Sequence, residues 1–117
     1  MSEQITIQVR EVSGITVLDL AGRIDAATSP VIEKELSRII DSGEKNLILN
    51  MTELVYISSS GLRVVLAALK RVKPAGGLIV LSGMQPGPGE VFKMTGFDRL
   101  FPICGSVDEA SSCFPHN

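Results

Sequence analysis

Three consecutive hydroxyl side chains, Ser58, Ser59 and Ser60, are the first candidates for a functional site in this sequence. They follow the apolar run 54–57, and Gly61 comes directly after them. Beyond the glycine, apolar side chains recur at helical spacing, at Leu62, Val65, Leu66, Leu69 and Val72. A serine at a strand-to-helix junction can cap the helix, because its oxygen accepts a hydrogen bond from an unpaired N–H. Three serines exceed what one cap needs, which hints at function.

A helix start is also a place where a phosphate ester is tolerated. Its free N–H groups and partial positive charge stabilise an anion by roughly 0.3–1 kcal/mol when the site is exposed. A phosphate on one of these serines would change what the surface can bind without melting the helix. Two interpretations therefore stay open at this point: a plain serine cap and a phosphorylation site.

A catalytic serine is a third interpretation, and the sequence argues against it. A serine nucleophile needs a general base within hydrogen-bonding reach. The single histidine is His116, near the C-terminal end, and Ser59 has no G-x-S-x-G setting. No Ser-x-x-Lys motif begins at any of the three serines. We expect the chain not to be an enzyme.

Composition indicates an ordinary globular domain with no nucleic-acid or membrane partner. Hydrophobic residues make up 44% and charged residues 21%, while net charge is −2 and aromatics are only 4%. No apolar run approaches the ~20 residues that cross a bilayer, and no signal peptide is visible, so we expect a cytoplasmic protein. Cys104 and Cys113 lack metal-binding spacing and are expected to be reduced. We expect no metal and no cofactor.

The order of predicted elements favours an α/β fold. Strands are predicted at residues 4–10, 15–20, 47–49, 54–57, 77–82 and, as an edge strand, 100–103, with 51–53 and 83–89 as connections. Helices are predicted from Ser29 as N-cap to Gly43, from the serines to about Lys73, over 90–95, and from Ser106. A hairpin followed by β-α-β units predicts a mixed four- to five-stranded β-sheet with α-helices packed mainly on one face. We expect one domain over 4–112 and a frayed tail over 113–117.

The second predicted helix carries a small apolar group on the side away from its buried stripe. Val64, Ala67 and Ala68 lie there, and with Ser59 or Ser60 they could form a patch beside the hydroxyls. Such a patch suits contact with a partner protein, although scattered exposed apolar residues are also normal. Both interpretations remain open on this pattern alone.

Three segments of the chain resemble the anti-sigma factor antagonists, which are stand-alone STAS domains. They are Gly-Arg-Ile-Asp-Ala-Ala at 22–27, Tyr-Ile-Ser-Ser-Ser-Gly-Leu-Arg at 56–63 and Thr-Gly-Phe-Asp-Arg-Leu-Phe at 95–101. The resemblance covers about residues 4–112 and implies the SpoIIAA-like fold. It also implies binding to an anti-sigma factor that is a serine kinase, which releases a sigma factor. Phosphorylation of one serine would end this binding, and a phosphatase would restore it.

The resemblance assigns roles to individual residues. The family motif commonly reads Asp-Ser-Ser/Thr-Gly-Leu, which makes Ser59 the phosphoacceptor and puts Ser58 in the place of the acid. Asn50 stands where the family usually has an acid after the third strand. The residues expected at the partner contact are Asp25, the loop acid near the acceptor, together with Ser58, Ser60, Gly61, Arg63, Val64 and Ala67.

Two further expectations concern partners and assembly. We expect a monomer or weak dimer. The alternative within the same fold is a non-phosphorylated STAS scaffold, either in a stress-signalling complex or as a partner subunit of a lipid transporter.

Overall fold

Five strands form one mixed sheet in the computed structural model of the chain, which describes residues 5–115. The strands are β1 (Ile5–Val12), β2 (Ile15–Ile24), β3 (Asn46–Ile57), β4 (Leu78–Ser82) and β5 (Ile103–Cys104). Their spatial order is the chain order; β1 is antiparallel to β2, and the remaining neighbours are parallel. The helices are α1 (Ser29–Asp41), α2 (Ser59–Val72), α3 (Pro86–Thr95) and α4 (Val107–Ser111), with 3₁₀ turns at Lys73–Ala75 and Phe97–Arg99. The predicted mixed α/β sheet is confirmed.

The β1–β2 hairpin closes through a two-residue turn. Val12 pairs with Ile15, and the two residues between them, Ser13 and Gly14, have φ values of 54° and 79°. Positive φ at both central residues is what a type I′ turn requires, and this turn matches the twist of the strands. The sequence predicts this antiparallel pair from the turn signal Val12-Ser13-Gly14 between two apolar runs.

β3 is a single long strand, although we predicted two short ones separated by residues 51–53. Its first part pairs with both β2 and β4, while residues 53–57 pair with β2 alone. Met51 and Leu54 are buried, but Thr52 and Glu53 between them are exposed, which resembles a connection in the sequence. The pairing with β2 continues through two register shifts, one between Asp19 and Ala21 and one between Gly22 and Arg23.

Helices cover the two faces of the sheet unequally, as predicted. The larger core cluster lies under α1, α2 and α3 and includes Leu18, Leu20, Leu49, Ile79 and Phe92. The opposite face carries a smaller cluster, closed by α4, that comprises Ile15, Val17, Ile48, Val80, Ala110 and Phe114. Alternation along β2, β3 and β4 sends successive residues into the two clusters.

The expectation of a frayed tail over 113–117 is wrong for Phe114. Its side chain is only 3% exposed and packs in the cluster beneath α4. The sequence pattern missed it because a single aromatic residue after a short helix has no periodicity. His116 and Asn117, and Gln4 at the other end of the predicted domain, lie outside the described residues.

Three predicted boundaries shift in the structure. Thr28, not Ser29, is the N-cap of α1, and the Ser29 hydroxyl donates to the carbonyl of Asp25 at 2.6 Å instead. α3 begins at Pro86, inside the segment predicted as a loop. Its prolines are compatible with the first helical turn, where backbone N–H groups have no helical partner. The edge strand is Ile103–Cys104 rather than 100–103.

Among residues 5–115, no helix is both long and apolar enough to span a membrane.

Candidate functional site

The three serines lie where β3 ends and α2 begins. Ser58 is the N-cap of α2, and its Oγ accepts a hydrogen bond from the backbone N–H of Gly61 at 3.4 Å. Its own N–H donates to the carbonyl of Ile24 at the end of β2, at 2.8 Å, and its carbonyl accepts from Leu62 N–H. Ser58 therefore both caps the helix and ties its start to the neighbouring strand.

Ser59 is the first residue of α2 and is exposed, whereas Ser60 is half-buried. Because Ser58 supplies the cap, the Ser59 hydroxyl is not needed to start the helix. It lies at the positive end of the helix dipole, where an anion is stabilised. Of the three hydroxyls, Ser59 is the one whose exposure best suits modification by another protein.

Gly61 has a packing role. A Cβ at this position would lie 2.6 Å from Ile24 Cγ2 and 2.8 Å from Ile57 Cγ1, both much shorter than van der Waals contact. The absence of a side chain therefore lets α2 approach the ends of β2 and β3 closely. Gly61 is buried, so its placement does not favour the direct partner contact that we expected of it.

Asp25 lies in the loop that follows β2, next to the serines. Ile24 pairs with Ile57 across the parallel strands, so that Asp25 and Ser58 are the next residues of the two strands. The Asp25 Oδ1 atom accepts hydrogen bonds from the N–H groups of Ala27 at 3.0 Å and Thr28 at 3.1 Å. The structure thus brings the predicted loop acid to the same edge of the sheet as the serine motif and holds it in a tight turn.

Arg23 and Tyr56 form a contact beside the site that sequence reasoning missed. The guanidinium carbon of Arg23 lies 4.3 Å from the centre of the Tyr56 ring, and the two residues are paired across β2 and β3. A cation over an aromatic ring contributes roughly 0.5–1 kcal/mol at an exposed site. The only signal in the sequence was their position just before Asp25 and the serines, because the pairing depends on the strand register.

The outer face of α2 forms one side of a shallow groove of about 350 Å³. Its lining comprises Arg63, Val64, Leu66, Ala67 and Lys70 of α2 and Glu33 of α1. Arg63 and Ala67 are exposed and Val64 is half-buried, which agrees with a surface patch; Ala68, however, is buried and does not belong to it. Arg71, one turn on, pairs with Asp41 of α1 at 2.5 Å. The predicted apolar patch is therefore small and bordered by charged side chains, the cations Arg63 and Lys70 and the anion Glu33.

Asn50 does not take part in this site. It lies within β3 rather than after it, and its β2 partner Asp19 is six residues before Asp25, which corresponds to roughly 20 Å along a strand. Its amide donates to Asp19 Oδ1 at 2.8 Å, and its oxygen accepts from the Thr52 hydroxyl at 2.6 Å. The departure from the family's usual acid at this position therefore alters contacts inside the sheet, away from Ser59.

Comparison with known proteins identifies the family of the chain. The STAS domain profile matches residues 6–110. Over 104 residues, which are 89% of this chain and 90% of the relative, the sequence is 36% identical to BtrV of Bordetella bronchiseptica, a protein that bears the name of an anti-sigma factor antagonist.

Solved structures share the fold. The anti-sigma factor antagonist from Mycobacterium paratuberculosis superposes with a TM-score of 0.86 at 23% identity, over 93% of this chain and 92% of the other. Unphosphorylated SpoIIAA superposes with a TM-score of 0.80 at 23% identity, over 92% and 94%. From its profile match, its sequence similarity to BtrV and its fold, we conclude that this chain belongs to the STAS domain family.

Proposed function

We propose that this chain is an anti-sigma factor antagonist whose binding to its partner is switched off by phosphorylation of Ser59. The observation that supports this most is that Ser58 and Ser59 have different roles at the start of α2. Ser58 caps the helix, which leaves the exposed Ser59 hydroxyl at its positive end. The 36% identity to a relative named as an anti-sigma factor antagonist, over 89% of this chain, supports the same function.

In this proposal the unmodified protein binds an anti-sigma factor that is also a serine kinase, and thereby releases a sigma factor. The contact surface comprises the Ser59 end of α2 and its outer face, with Asp25 beside it. Arg63 and Lys70 border the groove, so complementary acidic groups on the partner would speed association and orient it. The small side chains of Val64 and Ala67 allow close approach between the two proteins.

Phosphorylation would end binding through charge. A phosphoserine carries about −1.5 to −2 charges at pH 7. Helix α2 tolerates that charge at its N-terminus in the free protein, because its N–H groups point toward it. In a close-fitting interface the same charge would lose its water without gaining a cation, at a cost of several kcal/mol. The modified protein would therefore fold normally and fail to bind.

In this proposal the chain and its partners have different roles. The partner supplies ATP and the catalytic groups for phosphorylation, and a separate phosphatase removes the phosphate. This chain acts in the cytoplasm as a binding module, with no cofactor or metal and no catalytic activity of its own.

Incubation with the partner kinase and ATP tests the proposal. We expect intact-mass measurement to show the gain of one phosphate on the wild type and none on Ser59→Ala. Ser60→Ala is the matched control, because it removes the neighbouring hydroxyl and should still gain the phosphate. If the wild type binds the kinase without gaining phosphate, the non-phosphorylated STAS scaffold is the better description. Phosphate on Ser60 instead would contradict the assignment of Ser59.

A further inference from the structure

The two cysteines of the chain lie side by side although they are far from the serine site. Cys104 Sγ and Cys113 Sγ are 3.5 Å apart, nine residues apart in sequence. Cys104 is half-buried at the end of β5, whereas Cys113 is exposed just beyond α4. Their spacing in the sequence indicated no such contact.

Backbone hydrogen bonds hold both cysteines in place. The carbonyl of Cys104 accepts from Gly83 N–H at 3.0 Å, and Cys104 pairs with Ser82 in the sheet. On the other side, Cys113 N–H donates to the carbonyl of Ala110 at 3.0 Å. The next residue, Phe114, is anchored in the core cluster beneath α4. The closeness of the sulfurs thus follows from the packing of α4 against β5.

We propose that Cys104 and Cys113 are an oxidation site that forms a reversible intramolecular disulfide with a small disulfide, such as glutathione disulfide, as the oxidant. The exposed Cys113 thiolate attacks one sulfur of glutathione disulfide and expels one glutathione thiolate. The deprotonated Cys104 Sγ then attacks the Cys113 sulfur and expels the second. The two protein thiols lose two electrons and two protons, and the oxidant becomes two molecules of glutathione.

The environment of the two thiols supports this order of attack. Burial, followed by the hydrogen bond with Cys113, raises the pKa of the Cys104 thiol to about 11. Because the thiolate is the nucleophile, Cys104 is a poor first attacker at neutral pH. Cys113 is exposed to a dissolved oxidant, and once it carries glutathione, Cys104 lies next to it. Proximity then favours the intramolecular step.

The disulfide would fasten the C-terminal segment to the edge of the sheet. It would close a loop that contains α4, whose residue Ala110 packs with Phe114 over one face of the sheet. Closing this short loop lowers the entropy of the unfolded chain, which in a domain of this size should raise Tm by roughly 5–10 °C. Ser59 and the α2 groove lie on the other side of the sheet, so the bond should leave partner binding unchanged.

Equilibration of the full chain in buffers of increasing glutathione disulfide tests the proposal. Free thiols would be trapped with a maleimide, followed by intact mass and a non-reducing peptide map. We expect both thiols to disappear together, with the loss of two hydrogen atoms per chain and a single peptide link between Cys104 and Cys113. The oxidised protein should melt at the higher temperature and return to the reduced Tm after treatment with dithiothreitol.

Single variants provide the comparison. Cys104→Ser should retain the exposed Cys113 thiol, which ends as a mixed disulfide with glutathione, whereas Cys113→Ser should retain the half-buried Cys104 thiol, which reacts more slowly; neither variant should show a rise in Tm. The proposal is wrong if the wild type gives only mixed disulfides, or only chains linked to each other. It is also wrong if the two thiols persist at oxidant levels that modify Cys113 in the Cys104→Ser variant.

Discussion

The backbone N–H of Ser58 donates to the carbonyl of Ile24 at 2.8 Å, which joins the first residue after β3 to the last residue of β2. This bond extends the parallel pairing of the two strands by one step, beyond the pair Ile24–Ile57. As a result, the loop of Asp25 and the start of α2 emerge at the same edge of the sheet. The position of Asp25 relative to the exposed Ser59 is therefore determined by backbone pairing between β2 and β3.

A negative charge at Ser59 should weaken partner binding without unfolding the protein. We expect Ser59→Asp to bind the partner kinase at least tenfold more weakly than wild type, because the carboxylate loses its water in the interface. Ser59→Ala is the matched control and should bind within about threefold of wild type. Titration calorimetry would measure both affinities, and circular dichroism would show that the fold is intact. Equal affinity of Ser59→Asp and wild type would contradict the proposed switch.

Gly61→Ala should destabilise the fold despite the higher helix propensity of alanine. The new Cβ would clash with Ile24 and Ile57, and relief of such overpacking costs typically about 1–3 kcal/mol. Urea unfolding would measure the change.

Gly89→Ala is the matched control for Gly61→Ala, since Gly89 is also helical but its added Cβ would meet only Met84 Cγ at 3.5 Å. This variant should be as stable as wild type or up to about 1 kcal/mol more stable. If the two variants changed stability equally, close packing at Gly61 would not be the reason for its glycine.

Asp19 should contribute stability at neutral pH that is lost in acid. The hydrogen bond from Arg10, whose Nε lies 2.6 Å from Oδ2, and the one from Asn50 keep the Asp19 pKa below its usual range. Since the folded-state pKa is below the unfolded value of about 3.9, this stabilisation is present above pH ~4 and disappears as pH falls through the folded-state pKa.

Asp19→Asn removes this titrating carboxyl group and tests the predicted direction of the pH dependence of stability. Between pH 5 and pH 3 the free energy of unfolding should fall less in this variant than in wild type. The difference should be at most about 1 kcal/mol, because solvent screens the partly exposed pair. Arg10→Gln should reduce the same pH-dependent loss, and combining the two changes should add little. Urea unfolding at both pH values is the measurement; an identical acid response of wild type and Asp19→Asn would contradict the assignment.

Phe114 should be essential for stability although it lies three residues before the last one. Phe114→Ala would leave a cavity beneath α4, and such truncations of buried phenylalanine cost about 3–5 kcal/mol. The neighbouring exposed Pro115 provides the control, because Pro115→Ala should change the free energy of unfolding by less than about 0.5 kcal/mol. A loss below about 1 kcal/mol for Phe114→Ala would show that the cluster forms without its ring.

Local pattern was enough to locate the serine junction, the hairpin at Ser13-Gly14 and the buried stripe of α2, except that Leu66 of this stripe is only half-buried. These features depend on residues close in sequence, where periodicity and turn chemistry act directly. The resemblance of the motif at 56–63 supplied the family, which the comparisons confirmed. The role of Ser59 as phosphoacceptor stays a prediction from that resemblance.

Packing between segments that are distant in sequence determined the features that local pattern did not predict. The continuity of β3 through Thr52 and Glu53 depends on bulges in β3 itself, where it has one residue more than β2, and neither strand signals the other's register in its own residues. The burial of Phe114 and the 3.5 Å approach of Cys104 to Cys113 both result from the docking of α4 on the sheet. Such contacts form only when whole elements pack, because the free energy that orders them comes from burying a shared apolar surface.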